Sequence, residues 1–201
     1  ITTIKPYSTG QFMIIDTSTR RNLELVETLR EKQKRGSLLW VLDRTRTAMG
    51  ARLLRSFVEQ PLIQKAEIEK RQAAVEELNM NFISREEIRE YLNSVYDLER
   101  LLGRISYKTA NPRDLLAFKT SLSMLPHIKR LLNEFSCGLL KELHEELDPL
   151  EDLYELVDRA IVEEPPITVR EGGIIKEGHS DQLDALKASI KDAQDWIAGL
   201  E

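Results

Sequence analysis

The chain has 201 residues, 41% apolar and 31% charged, enough for one large domain or two small ones with a real core. A formal charge of −5 argues against a domain whose main task is gripping a phosphate backbone. The single Cys137 rules out an internal disulfide and a cysteine zinc set, and no stretch approaches the ~18 uninterrupted apolar residues of a membrane span. The charge is uneven: residues 1–60 hold eleven Lys or Arg against six Asp or Glu, and the rest hold eighteen against twenty-eight. A basic first third suits DNA or an acidic partner surface. The better reading is solvated helix faces with internal ion pairs, because the arginines are interleaved with Leu and Phe. The N-terminus lacks a signal-peptide pattern, and the expected compartment is the cytoplasm.

Residues 1–12, with Pro6, Gly10 and several Thr and Ser, read as an extended lead-in. Met13-Ile14-Ile15-Asp16 is apolar but too short for a helix. Thr17-Ser18-Thr19 then turns into Arg20-Arg21-Asn22-Leu23-Glu24-Leu25, the entry of a helix that Gly36-Ser37 stops. Ser37 starts Leu38-Leu39-Trp40-Val41-Leu42, and Asp43, Thr45 and Thr47 offer three successive capping side chains for a helix from about Ala48 to Glu59 that Pro61 ends. Ile68, Gln72, Val75 and Leu78 recur at helical spacing from Lys65 onward. Ser84 with Glu87 reads as a capping box opening a helix to about Tyr107.

Asn111-Pro112-Arg113-Asp114 is a strong helix start, with Asn at the cap and Pro at the first helical position. Leu115, Phe118 and Leu122 form its apolar face, Pro126 bends or restarts it, and Gly138 and Asp148-Pro149 mark two further breaks. After Glu163-Glu164-Pro165-Pro166, the β-branched residues 167–169 and Ile174-Ile175 flank Gly172-Gly173, which predicts a small β-hairpin near residues 167–176. Ser180 caps a last helix with Leu183, Leu186, Ile190, Ile197 and Leu200 on one side, and no stop signal precedes Glu201. The expected fold class is all-α, about nine to eleven helices with that one hairpin.

Catalytic chemistry is sparse. There is no Gly-x-x-x-x-Gly-Lys-Ser/Thr loop and no Gly-x-Gly-x-x-Gly after a strand. His127, His144 and His179 sit in separate segments without a His or Cys at ligand spacing. Glu163 and Glu164, being adjacent, would point about 100° apart on a helix and do not converge on one atom. Cys137 reads as a buried small apolar residue. The most informative pattern is Ile88, Leu92, Val95, Glu99 and Leu102, spaced as one helical face with a carboxylate in it. Glu99 is either a buried charge paired with an arginine from outside its helix, most plausibly within Arg44–Arg55, or a rim carboxylate satisfied by Arg100, Arg104 or water.

Several of these runs carry a resemblance. Asp16, Thr19, Arg21-Asn22-Leu23-Glu24-Leu25, Gly36-Ser37-Leu38-Leu39, Leu42-Asp43, Thr45, Thr47, Met49-Gly50, Arg52-Leu53-Leu54 and Pro61-Leu62 together resemble the core domain of the MutS family. Asp97-Leu98-Glu99-Arg100-Leu101-Leu102, Pro112-Arg113-Asp114-Leu115, Glu164-Pro165-Pro166, Gly172-Gly173-Ile174-Ile175 and Leu183-Asp184 extend it in the same order, so that it spans Phe12 to Glu201.

The resemblance implies a helical core that couples an ATPase domain to a DNA clamp in mismatch repair. Residues 1–12 would then be the end of a connector domain, and 13–201 the core up to the start of the clamp arm. It implies no catalytic, cofactor or metal residues in this chain. ATP and magnesium, dimer formation and most of the DNA contact would belong to the rest of a parent ATPase, other domains of the same subunit would be partners, and the chain alone would bind DNA weakly or not at all. Arg21, Asn22, Glu24, Asp43, Thr47, Arg52, Glu99 and Arg100 are the residues offered for a structural relay. A free-standing helical adaptor for a protein partner is the alternative, and a helical enzyme a weaker third.

Overall fold

The computed structural model describes residues 9–199, which form two compact units, each assembled from two stretches of chain. The first takes residues up to Glu99 and Ser123–Pro149, and the second Arg100–Leu122 and the residues from Leu150 on. Among the described residues there are ten α-helices and no strand, only two isolated antiparallel bridges. Of the lead-in, residues 1–8 lie outside the described residues. Thr9–Gln11 is a single 3-10 turn, and Phe12 bridges to Leu62, with the Met13 N–H donating to the Pro61 carbonyl at 2.8 Å.

In the first unit, Asp16 caps α1 (Thr17–Asn22), its carboxylate accepting from the Thr19 N–H at 2.8 Å and the Thr19 hydroxyl at 2.7 Å. The helix expected to run on to Gly36 ends there. Glu24 takes a left-handed φ of 48°, its carboxylate accepts the Leu29 N–H at 2.7 Å, and residues 23–36 are turns and bends. Local side-chain bonding of this kind competes with helix continuation. The loop is closed by Gly36 at φ 95°, a conformation that glycine reaches without penalty.

Helix α2 (Leu38–Leu42) starts with its orphan donors satisfied: Leu38 and Leu39 donate to the Glu24 and Leu25 carbonyls, and the Ser37 hydroxyl accepts from Trp40 at 3.2 Å. Ser37 is 1% exposed and also donates to the Lys34 carbonyl at 2.7 Å. Ser37→Ala removes both bonds and should cost about 1–2 kcal/mol. A thermal scan shows it, and a variant as stable as the parent would mean that the cap carries nothing.

Thr47 caps α3 (Ala48–Glu59) by accepting from Gly50 at 3.0 Å. Helix α4 (Lys65–Met80) packs on α5 (Phe82–Asn93) and on α8 (Gly138–Glu146). Buried Ala74, Phe135 and Leu140 form the centre, with Leu78, Ile88, Leu132, Cys137 and Leu139 against them. The Glu77 carboxylate of α4 accepts from the Ser136 hydroxyl and N–H and the Cys137 N–H, each at 2.7 Å, and these bonds hold it below the usual carboxylate range. It supplies at the start of α8 the acceptor that Cys137 cannot.

Two expectations for residues 84–107 are corrected. Ser84 lies inside α5 and donates to Glu134 at 2.7 Å instead of capping. The predicted single helix is two, broken at residues 94–97 before α6 (Leu98–Ser106), where the Ser94 and Val95 N–H groups turn back to the Tyr91 and Leu92 carbonyls. Asn93 and Ser94 are poor helix formers, and the break rotates the faces: Leu101 is buried while Leu102 is exposed.

In the second unit, Asn111 and Asp114 form a reciprocal box at the start of α7 (Pro112–Leu132). The Asp114 N–H donates to Asn111 Oδ1 at 2.8 Å, and the Asn111 N–H to Asp114 Oδ2 at 3.0 Å. Helix α7 runs through Pro126 without restarting. Leu101, Phe118, Leu122, Ala160 and Ile161 are buried, and Lys119 pairs at 2.9 Å with Asp158 of α9 (Glu151–Ala160).

The hairpin expected near residues 167–176 is absent. Thr168 and Glu171 bond each other's backbone in a capping box that winds Val169–Glu171 into a 3-10 turn. Gly172 and Gly173 both take positive φ, and Ile175 then pairs with Ile161, not with residues 167–169. Local capping thus wins over the β-branched alternation. Helix α10 (Asp181–Ala198) begins at Ser180, and Leu186 and Ile190 on its predicted apolar side are exposed; the Ile197 side chain and Leu200 lie outside the described residues.

Candidate functional site: the Arg52 bridge and the α2–α3 junction

Arg52 projects from α3 as an exposed, long cation, and two carboxylates lie within its reach: Asp97 in the turn before α6 and Glu99 in the first turn of α6. Its terminal nitrogens bond both Asp97 oxygens, at 2.7 and 2.8 Å, and its Nε and Nη2 also donate to Glu99 Oε2, the Nε at 3.1 Å. A fork matched to a carboxylate in two parallel bonds gives direction as well as energy. Asp97, with Glu99 adding to it, holds the guanidinium proton more tightly than usual.

Glu99 combines the two alternatives: it pairs with an arginine of the 44–55 region, as the buried reading expects, but in the exposed setting of the rim reading. The Glu99 side chain is 68% exposed, a rim charge and not a buried one, because the break before α6 turns that face outward. Asp97 is the half-buried partner, and it was not picked out. The signal for it was its place just before Leu98, a helix-start position that a continuous helix concealed.

The second cluster is the α2–α3 junction. Asp43 accepts from Lys34 Nζ at 2.5 Å, from the Thr45 hydroxyl at 2.7 Å and from the Thr45 N–H at 3.2 Å. The Lys34 bond and then the Thr45 bonds lower its pKa to about 2. The ionised form is therefore favoured by folding. Its stabilisation is complete above the ordinary aspartate value near 4 and is lost as pH falls from there through about 2. Urea midpoints measured from pH 6 to pH 2.5 should fall less steeply for Asp43→Asn than for the parent. Parallel curves would dismiss the Lys34–Asp43–Thr45 cluster as a source of acid sensitivity. Both clusters border one cleft of about 230 Å³ lined by Val26, Lys34, Leu39, Ala51, Arg52 and Arg55, smaller than ligand pockets usually are.

The remaining expected relay residues are dispersed. Arg21 and Asn22 are exposed at the end of α1, and Glu24 shapes the loop before α2. Thr47 is the α3 cap, and Arg100 is exposed and belongs to the second unit.

The model of MutS domain III matches residues 18–199. The chain belongs to the MutS domain III family. It is 65% identical over its whole length to the DNA mismatch repair protein MutS of Lachnoclostridium phytofermentans. It is also 51% and 50% identical, over 97% of its length, to the proteins of the same name from Ruminiclostridium cellulolyticum and Acetivibrio thermocellus. The chain spans about a fifth of the length of these relatives, 22% in each case. In family terms, the Arg52 bridge and the α2–α3 junction both lie within the domain III match. No helix of the described residues is long and apolar enough to cross a membrane.

Proposed function

We propose that this chain is the core segment of a DNA mismatch repair protein and transmits mechanical state between an ATP-binding part and the parts that hold DNA. The observation carrying the reading is the Arg52 bridge: it fastens α3 to Asp97 and Glu99, the last residues before the chain passes from the first unit to the second. Such a strut is an element that a change of state can make or break, and coupling needs an element that both sites act on. In this reading nucleotide and magnesium are held by other parts of the longer protein.

The test is a chimera in which this chain replaces the matching segment of the Lachnoclostridium relative. Arg52→Met should reduce the effect of ATP on release of mismatched duplex by at least about fivefold, while affinity for ATP alone or DNA alone changes by less than about twofold. Unchanged coupling, or equal loss of all three, would overturn the proposal.

A further inference from the structure

Helix α2 is apolar at every position, Leu38-Leu39-Trp40-Val41-Leu42, yet only Leu39 turns inward, at 4% exposure. The other four are 44%, 45%, 55% and 49% exposed. A helix that is hydrophobic all round is ordinarily buried. Four neighbouring large apolar side chains in water are a patch that needs an explanation, unlike apolar residues scattered singly. The surrounding chain is basic: residues 30–46 hold six Lys or Arg and two acids, and of these acids Asp43 is already bonded to Lys34 and Thr45. Arg35, Arg44 and Arg46 are exposed beside α2.

We infer that α2 is a docking element whose occupant is a protein surface with an apolar centre and a carboxylate rim, carried by another part of the longer MutS polypeptide. Trp40 amid exposed Leu and Val, with Arg35, Arg44 and Arg46 around it, is a combination found at protein–protein contacts, where aromatic residues and arginine concentrate. A second copy of this chain is the wrong occupant, since a two-fold contact would set Arg35, Arg44 and Arg46 against their own counterparts. Duplex DNA is wrong as well, because nucleic-acid interfaces are polar and would dehydrate four apolar side chains without partners for them. Length supports an occupant within the same polypeptide, as relatives matched along all or nearly all of this chain extend well beyond it. The inference rests on the reading of the chain as one segment of such a protein.

Hydroxyl-radical footprinting tests it. Trp40 and its neighbours are labelled in the free 201-residue chain and in the chimera with the Lachnoclostridium relative, with buried Phe135 as the folding control. Labelling of Leu38–Leu42 should fall at least tenfold in the chimera, and Arg35→Glu, Arg44→Glu and Arg46→Glu together should restore most of it. Equal labelling in both proteins overturns the inference. So does protection in the free chain that rises with its concentration, which would mean a self-contact, or protection produced by a matched duplex alone.

If Phe135 becomes labelled in the chimera, the same comparison uses the intact Lachnoclostridium relative against its own excised segment. Because footprinting does not read activity, the two proposals fail separately. A chimera that couples ATP to DNA release with α2 still labelled rejects docking alone. One that covers α2 without coupling rejects the relay alone.

Discussion

Phe135→Ala should destabilise the first unit by about 3–5 kcal/mol. Phe135 is 3% exposed and stands with Ala74 and Leu140 at the centre of the cluster that joins α4 to α8. Removing the ring forfeits its transfer energy and leaves a hole that the flanking helices refill only in part. The same turn carries the Ser136 and Cys137 groups that Glu77 holds, so collapse of the turn into the hole would strain those three bonds. Phe135→Leu, which keeps most of the volume, should cost about 1.5 kcal/mol or less. Urea denaturation followed by circular dichroism distinguishes the pair: similar midpoints for the two variants would show that the site relaxes freely and is no close-packed centre.

Asp114→Ala should cost about 2–3 kcal/mol in the second unit. The carboxylate completes the box with Asn111 at the start of α7 and accepts from Arg104 at 2.6 Å. The Asn111 cap survives, because it accepts from the Asp114 backbone N–H; leaving the half-buried Asn111 N–H without its acceptor costs about 1–2 kcal/mol, and the lost Arg104 bond adds about 1 kcal/mol. Arg104 keeps 42% of its side chain in water, so its own loss stays below the 3–5 kcal/mol of a fully buried pair. Asp114→Asn, which retains an acceptor, should fall between parent and Ala. A double-mutant cycle with Arg104→Met apportions the effect, and an Asp114→Ala protein within 0.5 kcal/mol of the parent would refute the account.

Much of this was legible in the residues because capping is local. Ser37, Thr47 and Asn111 each announce a helix start within three residues of themselves, and the structure has each bond in place. What was not legible was where helices stop without glycine or proline. The break at residues 94–97 has neither, so the periodicity of Ile88, Leu92, Val95 and Leu102 was followed across a boundary beyond which it no longer described one face. The same break sets Glu99 at the exposed rim and puts Asp97 at a helix start. Residues 167–176 failed in the opposite direction, since a β-branched alternation was overruled by one Thr–Glu box. For the candidate site, the charge pairing could be anticipated from composition, but the exposure of its members depends on tertiary turns that no single window shows.

The first unit is built from two stretches of chain, and that has a consequence during synthesis. Glu77 of α4 and its partner Cys137 are separated by 60 residues. At about 5–20 residues per second on the ribosome, α4 waits roughly 3–12 s for the segment that covers it. Through that interval Ala74 and Leu78 lack the cover of Phe135 and Leu140, so the nascent α4–α5 pair exposes an apolar face until α8 is made.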